Sequence, residues 1–245
     1  MEIGQYLLLF GAVLGGGSLA FWFKSHNRRF LQLVLSFVGA FLLGLLVLHL
    51  IPDAYSKDSE QPIGLWVLAG FFIQLTLEQF SLGVEHGHIH DHHHTSRPLF
   101  ALQVLLSLSI HAFIEGLPLS NHEVLHAASH ATHAHNQLFY GVILHKAPEA
   151  FALALLLLMS HFSKKLVIIC IVLFAAMSPL GAFVTQSIHF SAETLQKMIA
   201  VVIGSLLHIS TTILFEIDNT DEHRISIQKI VAIVLGLGLC LLTIL

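Results

Sequence analysis

Charge is scarce in this sequence of 245 residues, since Lys, Arg, Asp and Glu make up 11% of it and hydrophobic residues make up 55%. An ordinary soluble domain carries roughly a quarter of its residues as charged side chains. Together with a mean hydropathy of +0.79, this scarcity excludes a soluble globular class. The chain is predicted to be a polytopic membrane protein whose surroundings are the lipid bilayer, and we expect no nucleic acid among its partners.

Cysteine is also rare, and the two residues present, Cys170 and Cys240, lie in separate apolar runs without a CxxC motif. Neither a disulfide framework nor a thiolate metal site is therefore indicated. A P-loop of the form GxxxxGK followed by Ser or Thr is missing, so ATP is not expected to be the energy source. The first apolar run has no basic segment before it, and we interpret it as a retained span rather than a signal peptide.

Long apolar stretches dominate what is there. Eight of them are long enough to cross a hydrocarbon core of roughly 30 Å. They are residues 5–23, 30–52, 62–84, 98–120, 137–160, 165–187, 195–216 and 226–245. The predicted fold is an all-α integral membrane protein with a single transmembrane domain, residues 1–245. Three spans precede a central pair and three follow it, a 3+2+3 order. Because a group of three spans has the opposite orientation when it is repeated after two more spans, this order allows an inverted repeat.

The basic residues predict how these spans are oriented. One set of loops, or the span ends beside them, carries Lys24, Arg28, Arg29, Arg97, Lys164, Lys165, Arg224 and Lys229, whereas the opposite set carries Lys57 and Lys197. Positive charge marks the cytoplasmic side of a membrane protein. We therefore expect a multi-pass protein of the cell membrane with both termini extracellular or periplasmic.

Histidine is concentrated in two of the loops. The predicted cytoplasmic loop 85–97 and the predicted extracellular loop 121–136 lie at the two ends of the fourth span. Neutral imidazole is a common ligand for zinc-class metals. These segments either bind metal weakly and incidentally or collect and buffer it for a path between them. Their candidate ligands are His86, His88, His90, His92, His93 and His94 in the first, and His122, His126, His130 and His133 in the second.

The central pair of spans carries a repeated polar motif. His111 with Glu115, and His145 with Glu149, are each four residues apart, so each pair lies on one face of a helix. Such groups in a membrane span cost several kcal/mol unless something satisfies them. Two nitrogens and two oxygens suit a four-coordinate zinc-class ion. The alternative for any one of these residues is an interhelical hydrogen bond.

Proline follows or interrupts both motifs. Pro118 and Pro148 each remove an amide donor, so both helices are expected to bend beside their ligands. Elsewhere, His49 and His208 are interpreted as structural residues or as partners of ligands. Glu78 and Glu216 lie near cytoplasmic span ends, where water can solvate them, and a relay role is the weaker alternative.

Three segments make the sequence resemble the ZIP family of divalent-metal transporters. They are "HAFIEGL", "HKAPEAFALA" and "GLLVLHLIPDA". The resemblance implies movement of Zn2+ or a related divalent metal into the cytoplasm without ATP hydrolysis, and frequent homodimerisation. It also implies an alternating-access motion in which spans one, four, five and six slide against the others. Carried over, the metal ligands are His111, Glu115, His145 and Glu149.

Three positions depart from the second metal site of two-metal family members. Ala112 replaces a frequent Asn, Lys146 replaces an acidic residue, and Ser178 stands where some members place a glutamate. We therefore predict a one-metal site in which Lys146 is a built-in cation at the second position. The alternative is an ion pair between Lys146 and Glu149 or Glu115 that holds the helices together.

Two other classes of function compete with transport. A metal-dependent intramembrane enzyme, either a hydrolase or a His-box oxidase, would need an open metal position, and the spans contain neither HExxH nor paired HxxHH motifs. A sensor or storage protein working through its loops would leave the buried pairs unexplained. We predict a transporter, not an enzyme, with Zn2+ as substrate rather than cofactor. Cd2+, Fe2+ and Mn2+ remain open as cargo, because affinity order and physiological selectivity differ.

Overall fold

The computed structural model describes residues 1–22, 28–55, 62–81, 97–120, 132–188, 190–215 and 226–242, and across these ranges every regular element is a helix. We number eight helices. They are α1 (Ile3–Leu19), α2 (Arg28–Leu45, continuing through a π-helical turn Leu46–Leu50 into Ile51–Tyr55), α3 (Ile63–Ser81), α4 (Arg97–Gly116, ending in a 3₁₀ turn Leu117–Ser120), α5 (Thr132–Met159), α6 (Lys164–Ser187), α7 (Ala192–Phe215) and α8 (Ile227–Leu242).

Six of these helices, α2 to α7, are long and apolar enough to cross a membrane. The remaining two, α1 and α8, are apolar but shorter, with 17 and 16 residues in the part described. Across the eight helices many side chains face outward, including large apolar ones such as Leu7, Phe72, Ile168 and Val234. A surface of that kind suits lipid rather than water. The chain is therefore a multi-pass membrane protein, and its predicted all-helical character is confirmed.

Proline acts on these helices in different ways. Pro118 lies in the 3₁₀ turn that ends α4, whereas Pro148 lies inside α5 without ending it. The π-helical turn of α2 directly precedes Pro52. Because Pro52 has no amide hydrogen, a carbonyl in the preceding turn loses its usual partner there, which favours the wider turn.

Two four-helix groups emerge from the way these helices pack. In the first, which we call the ligand group, α5 packs on α1 and α4 packs on α6, while α1 also contacts α6. In the second, the flanking group, α3 packs on α7 and α2 packs on α8 and α7. Contacts between the groups are less extensive and join α2 to α5 and α3 to α4. The bundle is thus divided along one internal boundary.

Glycine allows the closest backbone approaches, and these all lie within a group. A Cβ atom added to Gly16 of α1 would lie 2.1 Å from the carbonyl oxygen of Ala147 in α5. The same kind of contact joins α4 to α6 in the ligand group, and α3 to α7 and α2 to α8 in the flanking group. Across the boundary, a Cβ added to Gly141 would meet a flexible side-chain atom of Leu45 at 2.5 Å. Main chains therefore touch within the groups, and side chains mediate this contact between them.

Two apolar clusters fill the interior, one towards each end of the bundle. One contains Leu31, Val104 and Leu157, close to the starts of α2 and α4 and the end of α5. The other contains Leu50 and Leu119, at the opposite ends of α2 and α4. The polar middle turns of α4 and α5 lie between the two clusters.

Candidate metal centre

Helices α4 and α5 bring the four predicted ligands together in the middle of the bundle. His111 and Glu115 share one face of α4, and His145 and Glu149 share one face of α5, as their four-residue spacing requires. All four residues are buried, with at most 5% of any of them exposed. In both α4 and α5, apolar residues precede and follow the polar motif. These apolar residues place the polar turn in the interior of the bundle.

The ligand atoms of three of these residues form a compact cluster. Those of His111, Glu115 and His145 all lie within 4.8 Å of one another. Glu115 Oε1 is 3.1 Å from His111 Nε2 and 3.2 Å from His145 Nε2. Glu149 is slightly farther out, since its oxygens lie 3.9 Å from His111 Nε2 and 3.7 Å from His145 Nε2.

Hydrogen bonding does not account for this cluster. Both Nε2 atoms, Glu115 Oε1 and Glu149 Oε1 are buried and make no hydrogen bond of acceptable geometry. Leaving buried polar atoms unpaired is costly. Imidazole nitrogen and carboxylate oxygen are the ligands that zinc-class cations take in tetrahedral sites. The donor set therefore fits a divalent metal ion, and a divalent ion would satisfy the unpaired atoms.

Lys146 lies beside the cluster rather than in water. Its ammonium is 2.7 Å from Glu115 Oε2 and 2.7 Å from Glu149 Oε2, and the residue is 1% exposed. The nitrogen also lies 5.4 Å from the ring centroid of Phe174 in α6, a favourable cation–π position. One cation thus bridges the two carboxylates that also face the imidazoles.

The other two departures from a second metal site contact each other. The Ser178 hydroxyl on α6 donates a hydrogen bond to the Ala112 carbonyl on α4 at 3.0 Å. Neither residue has a carboxylate that could bind a second metal ion. A Cβ on Gly116 would lie 2.2 Å from the Ser178 carbonyl oxygen. Position 178 is therefore packed tightly against α4.

Two residues that the sequence analysis missed lie behind His111. Ser205 of α7 has its hydroxyl oxygen 3.3 Å from His111 Nδ1, and the same hydroxyl donates to Gln74 Oε1 of α3 at 2.9 Å. Both residues are almost wholly buried. A polar residue inside an apolar run was the signal available in the sequence. On α5, His145 Nδ1 lies 3.4 Å from the Gly141 carbonyl of its own helix.

Glu78 has a protein partner. Its side chain is 16% exposed and pairs with His208 Nε2 at 2.5 Å. His208 packs its ring edge-on against Phe71 at 4.8 Å between centroids. His49 lies in the π-helical turn of α2 with its Nε2 buried, and it is not one of the three residues of the compact cluster.

Several predicted residues lie outside the described part of the chain. They are Glu216 and all the candidate histidines of the two His-rich loops except His133. His133 belongs to the first turn of α5, where only the backbone is described.

A small cavity lies beside the cluster, between the two groups. His145 and Glu149 contribute its polar lining, and its other walls are apolar. They are Leu35, Val38 and Leu42 of α2, and Ile209 and Ile213 of α7.

Comparison with known proteins identifies the family. The chain is 28% identical to zinc transporter ZIP1 of Bos taurus over 263 residues, which covers 88% of this chain and 78% of that protein. It is 30% identical to zinc transporter ZIP2 of Homo sapiens over 53% of this chain and 47% of that protein. A shorter match, 39% identical, joins 27% of this chain to 18% of zinc transporter SLC39A7 of Mus musculus.

These relatives are transporters, which confirms the prediction that this chain is not an enzyme. The sequence model of the ZIP zinc transporter family matches residues 81–243, which is about two thirds of the chain and includes both ligand helices. The resemblance drawn from the motifs of α4 and α5 is thus confirmed, and the chain belongs to the ZIP zinc transporter family.

Proposed function

We propose that this protein is a secondary transporter that moves Zn2+, or a related divalent metal such as Cd2+, Fe2+ or Mn2+, into the cytoplasm. The observation that carries the proposal is the buried cluster of His111, Glu115, His145 and Glu149, in which both Nε2 atoms, Glu115 Oε1 and Glu149 Oε1 face one another without a hydrogen bond. Zinc is the cargo named for the relatives ZIP1 and ZIP2. The metal is accordingly a transported substrate and not a resident cofactor.

Alternating access is the proposed mechanism. Its support is the division into two groups, with main-chain contacts inside each group and less extensive packing between them. The ligand group carries all four metal ligands on α4 and α5, so it would carry the ion as it slides against the flanking group. Interfaces made by flexible side chains repack more easily than close backbone contacts.

The proposed direction is towards the cytoplasm, through eight spans with both termini outside. In that orientation the starts of α2, α4, α6 and α8 face the cytoplasm, where the predicted positive charge lies. The residues that line the cavity beside Glu149 include Leu35, in the first half of α2, and Ile213, near the end of α7, and both helix ends lie on that side in this orientation. The cluster containing Leu50 and Leu119 packs the bundle at the opposite end.

Pseudo-symmetric packing supports the 3+2+3 order with an inverted repeat. Exchanging α1 with α6, α2 with α7, α3 with α8 and α4 with α5 converts the α3–α7 contact into the α8–α2 contact. The same exchange converts the α1–α5 contact into the α6–α4 contact. Those four contacts are the most extensive in the bundle. The proposal also includes a homodimer in the cell membrane.

Within this proposal the transport site holds one metal ion. Lys146 bridges Glu115 and Glu149 at the position that a second ion would need. The histidine-rich segments 85–97 and 121–136 would collect or buffer metal at the two ends of the path and would not be obligatory ligands.

Zinc uptake into liposomes tests the function. Purified protein should transport Zn2+ down a gradient without ATP, and His145→Ala and Glu149→Ala should each abolish or strongly depress the flux, because each removes one of four ligands. Glu193→Ala is the matched control, since that carboxylate lies exposed on α7 and pairs with Lys197 at 2.6 Å. Near-normal flux from both ligand variants, at equal protein per liposome, would reject the site.

A further inference from the structure

The two histidine ligands are oriented by acceptors of different origin. His145 Nδ1 faces the Gly141 carbonyl, which belongs to its own helix and therefore moves with it. His111 Nδ1 faces the hydroxyl of Ser205, which lies on α7 in the flanking group. His145 therefore keeps its hydrogen-bond partner when its helix moves, whereas the partner of His111 belongs to the other group.

Hydrogen-bond chemistry fixes which way the bond to His111 runs. A serine hydroxyl has one hydrogen to donate, and an amide oxygen only accepts. Because Ser205 gives its hydrogen to Gln74 Oε1, its oxygen is left to accept one from His111. Neutral His111 then carries its hydrogen on Nδ1 and presents the lone pair of Nε2.

That lone pair points to the metal position. His111 Nε2 is 3.1 Å from Glu115 Oε1 and makes no hydrogen bond to it. Two electron-rich atoms at this separation are stable together when a cation lies between or beside them. The tautomer that the pair of Ser205 and Gln74 selects is the tautomer that binds metal.

We propose that Ser205 and Gln74 are positioning residues which preset His111 as a metal ligand in this conformation and release it when the two groups slide. Metal affinity is then coupled to the transport movement. With the Ser205 contact made, both imidazoles present Nε2 to the ion and binding is tight. With it broken, His145 remains preset while His111 is free to rotate or change tautomer, and the ion is held less tightly.

The inference rests on the proposed transport function and adds a role for two residues that do not touch the ion. Partners of this kind behind a metal-bound histidine contribute 10- to 100-fold in affinity or activity. Their effect should therefore be visible in binding as well as in flux.

Zinc affinity and uptake kinetics of four variants, in the full-length protein, test this inference. Ser205→Ala and Gln74→Leu should each weaken zinc binding by about tenfold and raise the KM for uptake more than they lower the maximal rate. Ser205→Thr keeps the hydroxyl and should stay within about threefold of the wild type, on the same scale. Ser210→Ala is the matched control, because Ser210 is buried on the same helix. Within the part of the chain that the structure describes, its hydroxyl donates only to the Leu207 carbonyl.

The outcomes separate the two proposals. Wild-type protein that neither binds nor transports zinc would reject the proposed function itself. Wild-type transport with Ser205→Ala and Gln74→Leu both behaving like Ser210→Ala would overturn the positioning role. A Ser205→Thr protein that is folded but as impaired as Ser205→Ala would also overturn it, because packing rather than the hydroxyl would then be responsible.

Discussion

At the residue scale, Lys146 lowers the net negative charge of the site. Glu115 and Glu149 contribute two negative charges and the ammonium one positive charge, so the three buried groups sum to about −1. Removing one partner of a buried ion pair typically costs 3–5 kcal/mol, because a buried charge is left uncompensated. A divalent ion roughly 5 Å from the ammonium is repelled by several kcal/mol at an effective dielectric near 20. We therefore expect the lysine to stabilise the metal-free site and to favour release of the ion.

Substituting Lys146 should change how the site holds metal. In a protein whose loop histidines are replaced by serine, we expect about one tightly bound zinc ion, because the ammonium fills the second position. Lys146→Asp should add a second ion or bind the first more tightly and release it more slowly, since a carboxylate replaces the repelling cation. Metal content and release rate measured on the purified protein check this.

The control for that substitution is Lys197→Asp. Lys197 also pairs with a glutamate one turn away, at 2.6 Å, but on the exposed surface of α7. Lys197→Asp should leave the metal content and the rate of metal release unchanged. Two tightly bound core ions with Lys146 intact would contradict a one-metal site, and no change after Lys146→Asp would reduce Lys146 to a structural ion pair.

The shared face of His111 and Glu115 on α4, and that of His145 and Glu149 on α5, could be predicted because spacing within a helix determines which side chains are neighbours. His111 and Glu115 must be neighbours in any helix, whatever packs against it. Ser205 and Gln74 could not be predicted in the same way, because their positions are set by how α3 and α7 meet α4. Serine and glutamine are also common in spans as ordinary interhelical partners. The pairing of Glu78 could not be predicted either, since its partner His208 comes from another helix.

At the scale of helices, the contact of α1 with α5 depends on one missing side chain. A Cβ on Gly16 would lie 2.1 Å from the carbonyl oxygen of Ala147, which sits between Lys146 and the proline before Glu149. Backbone cannot yield as a flexible side chain does. The size of residue 16 therefore sets the distance between α1 and the ligand helix.

Gly16→Ala should accordingly destabilise the protein by about 1–3 kcal/mol, the usual cost of overpacking a filled interior. Its melting temperature in detergent should fall, and zinc affinity should fall with it as α5 shifts. Gly15→Ala is the control from the same helix, because a Cβ there would meet nothing within 4 Å. It should be neutral or stabilising by up to about 1 kcal/mol. Equal melting temperatures for the two variants would show that α1 and α5 are not tightly packed.

Helix identity followed from the apolar runs, but local irregularities did not. Pro52 and Pro118 both lack an amide hydrogen. The turn before Pro52 is π-helical and therefore wider, whereas the turn around Pro118 is 3₁₀ and therefore tighter. The neighbours of each turn decide between these outcomes. Pro148 leaves α5 helical for its full length of 28 residues. Of these turns, the sequence analysis anticipated an irregularity only at Pro118, and it did not anticipate the π-helical turn before Pro52.

At the scale of the whole molecule, polar contacts across the boundary mark its present alignment. Ser107 of α4 donates to the Leu77 carbonyl of α3 at 2.5 Å, and Ser205 of α7 meets His111. Each joins a ligand-group helix to a flanking-group helix. If the groups slide, both contacts must break and re-form once in every transport cycle.

Locking that boundary should stop transport without removing the metal site. In a protein with Cys170 and Cys240 replaced by alanine, cysteines at Leu77 and Ser107 would be joined by a short, reducible bis-thiol reagent. We expect zinc uptake into liposomes to cease after cross-linking and to return on reduction, while zinc binding persists, because the ligands on α4 and α5 are untouched. The matched control is a pair at Gly17 and Ile171, where α1 meets α6 inside the ligand group and an added Cβ would lie 2.8 Å from Ile171 Cγ2. Cross-linking this pair should leave uptake unchanged, since both helices move together. Uptake that continues with the Leu77–Ser107 bridge fully formed would exclude sliding at this boundary, and the ion would then have to pass through a bundle whose groups stay fixed.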